Sequence, residues 1–179
     1  DQAVLLQKFV SERGGGLLML GGMECFHEGR YLRTPIGEML PVYLDLDEGG
    51  AKPLGKVQFQ LTREGWLQPW ARLRDTEGDE RARLDSMPPF EVLNRVRGLK
   101  PGASVIASVR DEKGGEHPAL AVQRFGRGRT GALMVGDFWR WGMRDPASRE
   151  DLERAWRQLV RWLITDVPLR VQASAEPVA

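Results

Sequence analysis

The chain has 179 residues, enough for one domain with a substantial core, and its 41% hydrophobic and 28% charged residues are those of an ordinary globular protein. The formal net charge is +1, so no overall field selects nucleic acid or an anionic membrane, and no run of about 18 apolar residues exists that could span a bilayer. The single cysteine, Cys25, excludes an intramolecular disulfide and a multi-cysteine metal site.

Asp1 to Arg13 reads as a helix, with Val4, Leu5, Phe9 and Val10 at helical spacing as a buried stripe, Asp1 as N-cap and Gly14 as the stop. It begins with no signal peptide, and we expect the chain to be a piece of a longer protein. Gly16 to Leu20 follows as an apolar strand that breaks at Gly21-Gly22. A buried strand ending in two glycines is the usual form of a ligand-facing sheet edge, because the backbone there turns sharply and must allow close approach. Helix, glycine and strand make half of a βαβ unit, so a partner strand is expected either ahead of the helix or supplied by a later part of the chain. Thr34-Pro35 marks the start of a short helix, and residues 41–46 read as an edge strand before a turn at Asp47 to Pro53.

Lys56 to Thr62 alternates, with Val57, Phe59 and Leu61 on one face. Residues 63–90 are charge-rich and read as loop with one helical turn. Strands are expected at 103–109, 119–125 and 130–135, separated by a hairpin turn at Asp111 to Glu116 and a tight turn at Gly126 to Arg129. Ser148 to Thr165 is an amphipathic helix, with Ser148 as cap, Asp151 in the capping-box place, and Leu152, Ala155, Trp156, Leu159, Val160 and Leu163 as its apolar stripe. Residues 169–179 turn polar and read as a linker after a domain spanning 1–168.

Several segments together carry a family resemblance: GGGLLMLGG with the loop GRYLRTPIGEMLPV, then LTREGWLQPW, VRGLKPGASVIAS and HPALAVQRFGRGRTGALMVGDFWRW, then the closing helix. The chain resembles the glutamine amidotransferase-like domains of large bacterial envelope proteins, which are related to class I glutamine amidotransferases and ThuA-like folds. The resemblance implies an α/β fold: a flavodoxin-like three-layer sandwich with a mostly parallel central sheet and an antiparallel extension. It also implies a setting beside membrane helices, von Willebrand A-like or immunoglobulin-like domains, and hence an extracytoplasmic, tethered location.

A working class I enzyme needs a cysteine on a strained strand-to-helix elbow, a histidine base and a glutamate that orients it. The elbow pattern is Gly-x-Cys-x-Gly. Here the run is Gly22-Met23-Glu24-Cys25-Phe26-His27-Glu28-Gly29, so Cys25 lacks glycines at elbow spacing. By resemblance, Leu20-Gly21-Gly22 matches the loop that shapes the oxyanion pocket. His117-Pro118 is present, but Ala119 stands where the orienting glutamate would follow. The catalytic candidates are therefore Cys25 as nucleophile with His27 or His117 as base. The alternative makes Cys25 a small, partly buried loop residue, His27 a surface residue and His117 an exposed residue at a strand start. Cys25, His27, His117, Glu24 and Glu28 show no HxH, HxxxH or CxxC spacing, so no metal and no cofactor is expected.

Arg127 and Arg129 alternate with Gly126 and Gly128, and such a turn can present guanidinium groups to a phosphate or carboxylate. The alternative is a solvated hairpin. Trp139 and Trp141 follow the strand 130–135 at the end where α/β sheets bind ligands, and would share a face if extended. Gly21, Gly22, Arg127, Arg129, Trp139 and Trp141 are thus the ligand-binding candidates, for a small anionic or sugar ligand. The reading that results is a non-catalytic domain used for binding or assembly with other domains of its parent chain. An active glutaminase or cysteine hydrolase, and a ThuA-like carbohydrate role, are the alternatives.

Overall fold

The computed structural model describes residues 2–22, 24–45 and 55–165. The expected cap Asp1, the turn at 47–53 and the linker at 169–179 lie outside the described residues. In chain order the elements are α1 (Gln2–Arg13), β1 (Gly16–Leu20), α2 (Pro35–Met39), β2 (Val42–Tyr43), β3 (Val57–Leu61), α3 (Arg63–Leu67), a 3-10 turn (Pro69–Ala71), α4 (Glu77–Ser86), β4 (Gly98–Leu99), β5 (Ser104–Asp111), β6 (Glu116–Phe125), β7 (Gly128–Leu133), α5 (Trp139–Gly142) and α6 (Pro146–Leu163).

The central sheet has five strands in the order β1-β7-β6-β5-β3, and β2 pairs with β4 in a small separate ribbon. Only β1 and β7 run parallel, with Leu17 opposite Thr130 and Leu20 opposite Leu133. The other three pairings are antiparallel. The α/β class holds, and the expected mostly parallel sheet is corrected to a mixed one. The cause is local: β5, β6 and β7 are joined by tight hairpins, which can only connect antiparallel neighbours. The 111–116 turn is set by Asp111, whose Oδ1 accepts from Lys113 N (2.9 Å) and Gly115 N (2.8 Å).

Each sheet face carries its own core. On one face Phe59, Ile106, Leu120, Val122 and Leu133 meet Leu152, Ala155 and Trp156 of α6 and the aromatic side chains around them. Phe138 is the hub there, with ring centroids 5.4 Å from Phe59, 5.5 Å from Phe90 and 5.6 Å from Trp141. On the other face Ala121, Ala132 and Met134 meet Phe26, Leu40, Val42 and Leu44. The α2 end is fixed to this face where Met39 O accepts from Thr130 Oγ1 (2.7 Å) and Gln123 Nε2 (2.9 Å).

Four local expectations need correction. Residues 63–90 hold two helices and a 3-10 turn. Helix α4 shows no apolar period in the sequence because two of its three buried residues, Glu80 and Arg83, form an ion pair and only Leu84 is apolar. The cap of α6 is Asp145, whose Oδ1 accepts from Ser148 N at 2.7 Å, with Pro146 at the first helical position. Asp151 instead takes a bidentate pair from Arg74, both contacts at 2.8 Å. The α1 stripe is not buried: only Val10 is, while Val4, Leu5 and Phe9 face outward.

Candidate functional site

Because β1 and β7 are parallel neighbours, their carboxyl ends lie side by side, and the loops that follow them form the floor of a crevice. These loops are Gly21-Gly22 and Met134 to Asp137. The glycines are required by backbone proximity. A Cβ on Gly21 would lie 2.7 Å from Met134 O and 2.9 Å from both Asn94 Oδ1 and Gly136 N. A Cβ on Gly136 would lie 2.7 Å from Val92 Cγ1 and 3.1 Å from Gly22 N.

The crevice is occupied by the chain itself. Residues 90–94 run extended against 134–136, with Asn94 N donating to Met134 O and Gly136 N donating to Val92 O, both at 2.9 Å. The buried Asp137 carboxylate holds this strap, accepting from Glu91 N (2.9 Å) and Val92 N (3.2 Å). Arg140 adds a cation at 3.2 Å from Asp137 and 3.3 Å from Glu91, and the hydrogen bond to Asp137 is the main reason its pKa is raised. Asn94 then closes a two-point contact: Gly22 N donates to Asn94 Oδ1 at 2.9 Å, and Asn94 Nδ2 donates to Gly22 O at 2.8 Å. The carboxamide thus pairs with both polar groups of Gly22. A sequence reading had no signal for Asn94, since the contact spans 72 positions.

Cys25 sits beside this floor, with its Sγ 3.4 Å from where a Gly22 Cβ would be. It is partly buried, and the residue with positive φ is its neighbour Phe26 (φ 55°), whose ring is fully buried. On an elbow the sulfur-bearing residue itself takes the strained conformation. His27 turns to the chain behind it, its Nδ1 2.9 Å from Leu44 O, so that nitrogen carries the proton. His117 lies at the same end of the sheet as the crevice, because β6 runs opposite to β7. It is half-buried rather than exposed, and its Nε2 is 3.0 Å from Asp111 Oδ2. That bond is the first cause holding the Asp111 carboxyl below the usual carboxylate range, ahead of the Gly115 amide. Together with Leu93 to Val96, His117 and Pro118 wall a cavity of about 40 Å³. The partner of His117 is therefore an aspartate across the hairpin, which sequence spacing to Ala119 did not disclose.

The remaining candidates separate. Arg127 N donates to Ser11 O at 2.8 Å and Arg129 N to Gly15 O at 3.3 Å, so this turn lies at the opposite end of β7 from Gly21-Gly22. Arg129 stacks over Trp162, 5.0 Å from the ring centroid, and donates to Trp162 O at 2.8 Å. Trp139 and Trp141 sit on α5, not on an extended segment, and so diverge. Trp141 is buried, with Arg83 5.2 Å from its centroid, while Trp139 is 59% exposed. Among the described residues, no three His, Cys, Asp or Glu side chains gather as a metal site would require, and no helix is long and apolar enough to cross a membrane.

Comparison with known proteins gives the kinship. The fold is shared with two solved structures from Salmonella typhimurium, the cytoplasmic protein STM3548 (TM-score 0.64, 22% identity) and the cytoplasmic protein STM1381 from strain LT2 (TM-score 0.60, 22% identity). They match 90% and 92% of this chain, which spans only 59% and 61% of theirs. No functionally curated protein matches. Residues 1–165 match the family described as "Putative glutamine amidotransferase", and the chain belongs to that glutamine amidotransferase-like family.

Proposed function

We propose that this domain is a non-catalytic member of its family that serves binding or assembly within a larger, envelope-associated protein. The observation that carries this reading is the Asn94 contact. A loop of oxyanion-pocket type works by offering free donors to a developing charge. Here the Gly22 N–H is already given to Asn94, and the Asp137-held strap fills the space in front of it. The disposition of Cys25 supports the same reading, since each imidazole makes its hydrogen bond elsewhere, His27 with Leu44 and His117 with Asp111. Trp139 and Met143, four apart and both well exposed at this end of the sheet, offer an apolar contact to a neighbouring domain.

The test is ammonia release from glutamine, measured with the parent protein and with Cys25→Ala. Equal, background-level release from both is expected. Turnover that Cys25→Ala abolishes would overturn the reading in favour of a cysteine hydrolase. One observation keeps that second reading in view: the His117–Asp111 pair stands at the carboxyl end of the sheet, as a base with its orienting carboxylate would.

A further inference from the structure

We propose that the α6 side of the sheet holds a binding site for a small neutral carbonyl compound with a branched aliphatic body: its oxygen takes hydrogen bonds from Arg83, and its carbons fill a cavity behind that residue. The site lies on the opposite face of the sheet from the core in which Cys25 packs, so the inference is independent of whether the domain is catalytic. Its first element is the cavity, of about 60 Å³, between Phe59, Ile106 and Leu133 of the sheet, Met87 at the end of α4, and Ala155 and Leu159 of α6. About 10–15 Å³ of such space holds one water, so there is room for roughly four groups of that size. Native cores leave few voids that large. Water is a poor occupant, because it wants two to four polar partners and Arg83 is the one charged residue in the lining.

The second element is an under-used donor at the rim of that cavity. The Arg83 side chain is only 7% exposed, and its Nε and Nη2 both donate to Glu80 Oε1, at 3.1 and 2.6 Å. Nη1 has a single partner, the thioether sulfur of Met87 at 3.4 Å, which is a weak acceptor. One N–H on each of Nε, Nη1 and Nη2 is thus engaged among the described residues, and a second N–H on each of Nη1 and Nη2 is not. Buried polar groups ordinarily pair, so the spare N–H groups call for an acceptor that arrives from outside the chain. The guanidinium lies over Trp141, 5.2 Å from the ring centroid. Arg83 and Trp141 line both the cavity and an open cleft of about 380 Å³ between α4 and the start of α6. A ligand that enters from the cleft therefore meets Arg83 before it meets the apolar interior.

Charge sets the class of ligand. Glu80 already neutralises Arg83, and its other oxygen accepts from Leu73 N and Arg74 N, which fixes the carboxylate in place. A carboxylate ligand would bring a second negative charge into a balanced buried pair, and an ammonium would face the guanidinium. A neutral carbonyl oxygen offers two lone pairs and no charge, which suits the spare N–H groups of Arg83. The cleft is balanced as well, with Arg74, Arg83 and Arg144 against Asp79, Asp145 and Asp151, so no field there prefers an ion. Behind the carbonyl, aliphatic and aromatic walls select a compact apolar body of about four carbons.

Methyl NMR on the full-length polypeptide tests the proposal, with isobutyl methyl ketone as probe and isovalerate, the carboxylate of the same shape, as its charged analogue. The ketone is expected to shift the Met87, Ile106 and Leu133 methyl signals saturably, with a dissociation constant in about the millimolar range for some four buried carbons. Isovalerate should bind at least about tenfold more weakly. Ala155→Leu fills the cavity and should abolish the ketone shifts, with a thermal melt to show that the variant folds. Glu80→Met with Arg83→Met removes the donor without leaving a lone charge, and should weaken the ketone by about tenfold or more. No saturable shift up to the solubility limit of the ketone would overturn the proposal, as would ketone binding unchanged in either variant. Equal binding of the two probes would overturn the neutral class assigned to the ligand.

Discussion

Asn94 carries the most exposed expectation. Replacing it by alanine removes two hydrogen bonds to Gly22, of 2.9 and 2.8 Å, each worth about 1 kcal/mol net. Gly22 is half-buried, so water can reach its freed groups and the full penalty of a buried orphan does not apply. The sum is about 2 kcal/mol, or a Tm lower by roughly 4–8 °C for a domain of this size. Asn94→Asp sharpens the test. One carboxylate oxygen still accepts from Gly22 N, but the other takes the place of a donor and faces Gly22 O. Protonation restores that donor, so the introduced carboxyl has a folded pKa raised above its unfolded value. Between the two values the native state binds more protons, and stability rises as pH falls. The Tm gap between parent and N94D should therefore be widest near neutrality and narrow on acidification toward about pH 4, while the N94A gap stays level. Thermal melts from pH 4 to 8 read both. An N94A change below about 0.5 kcal/mol, or a pH-independent N94D gap, would show that the strap does not depend on this carboxamide.

Other outcomes follow from particular contacts. Glu80 is fully buried and accepts from Arg83, from Leu73 N (3.0 Å) and from Arg74 N (2.9 Å); Glu80→Ala should cost about 3–5 kcal/mol in urea unfolding, and Glu80→Met with Arg83→Met together much less than the sum of the two, because no uncompensated charge is left. Gly136→Ala should destabilise by about 1–3 kcal/mol through Val92 and the Gly22 backbone, whereas Gly78→Ala, with open space around it in α4, should gain up to about 1 kcal/mol. Asp145→Ala should lower Tm by a few degrees and Ser148→Ala far less, since Asp145 is the α6 cap. The Ser148 amide holds the Asp145 carboxyl below its ordinary value, so its contribution is present above the unfolded pKa and is lost as pH falls through the folded one. The parent and D145A melting curves should accordingly converge in acid.

The sequence by itself determined the local elements whose signals are short-range. The Thr34-Pro35 start of α2, the alternation of β3, the two hairpins and the amphipathic α6 all depend on residues within a few positions of one another. The family was legible in the same way, as a succession of such segments. Tertiary structure alone decided the rest. The parallel expectation came with the kinship, while the hairpins on either side of β6 dictated antiparallel pairing. Asp145 and Ser148, three residues apart, are both good caps for α6 by residue type, and only the backbone at 145 breaks from the helix. The strap, the pairing of Asn94 with Gly22 and the bond between His117 and Asp111 join groups whose positions are set by sheet register. Register is a property of the whole sheet, so a chain read a few residues at a time reveals which elements form but not which side chains they bring face to face.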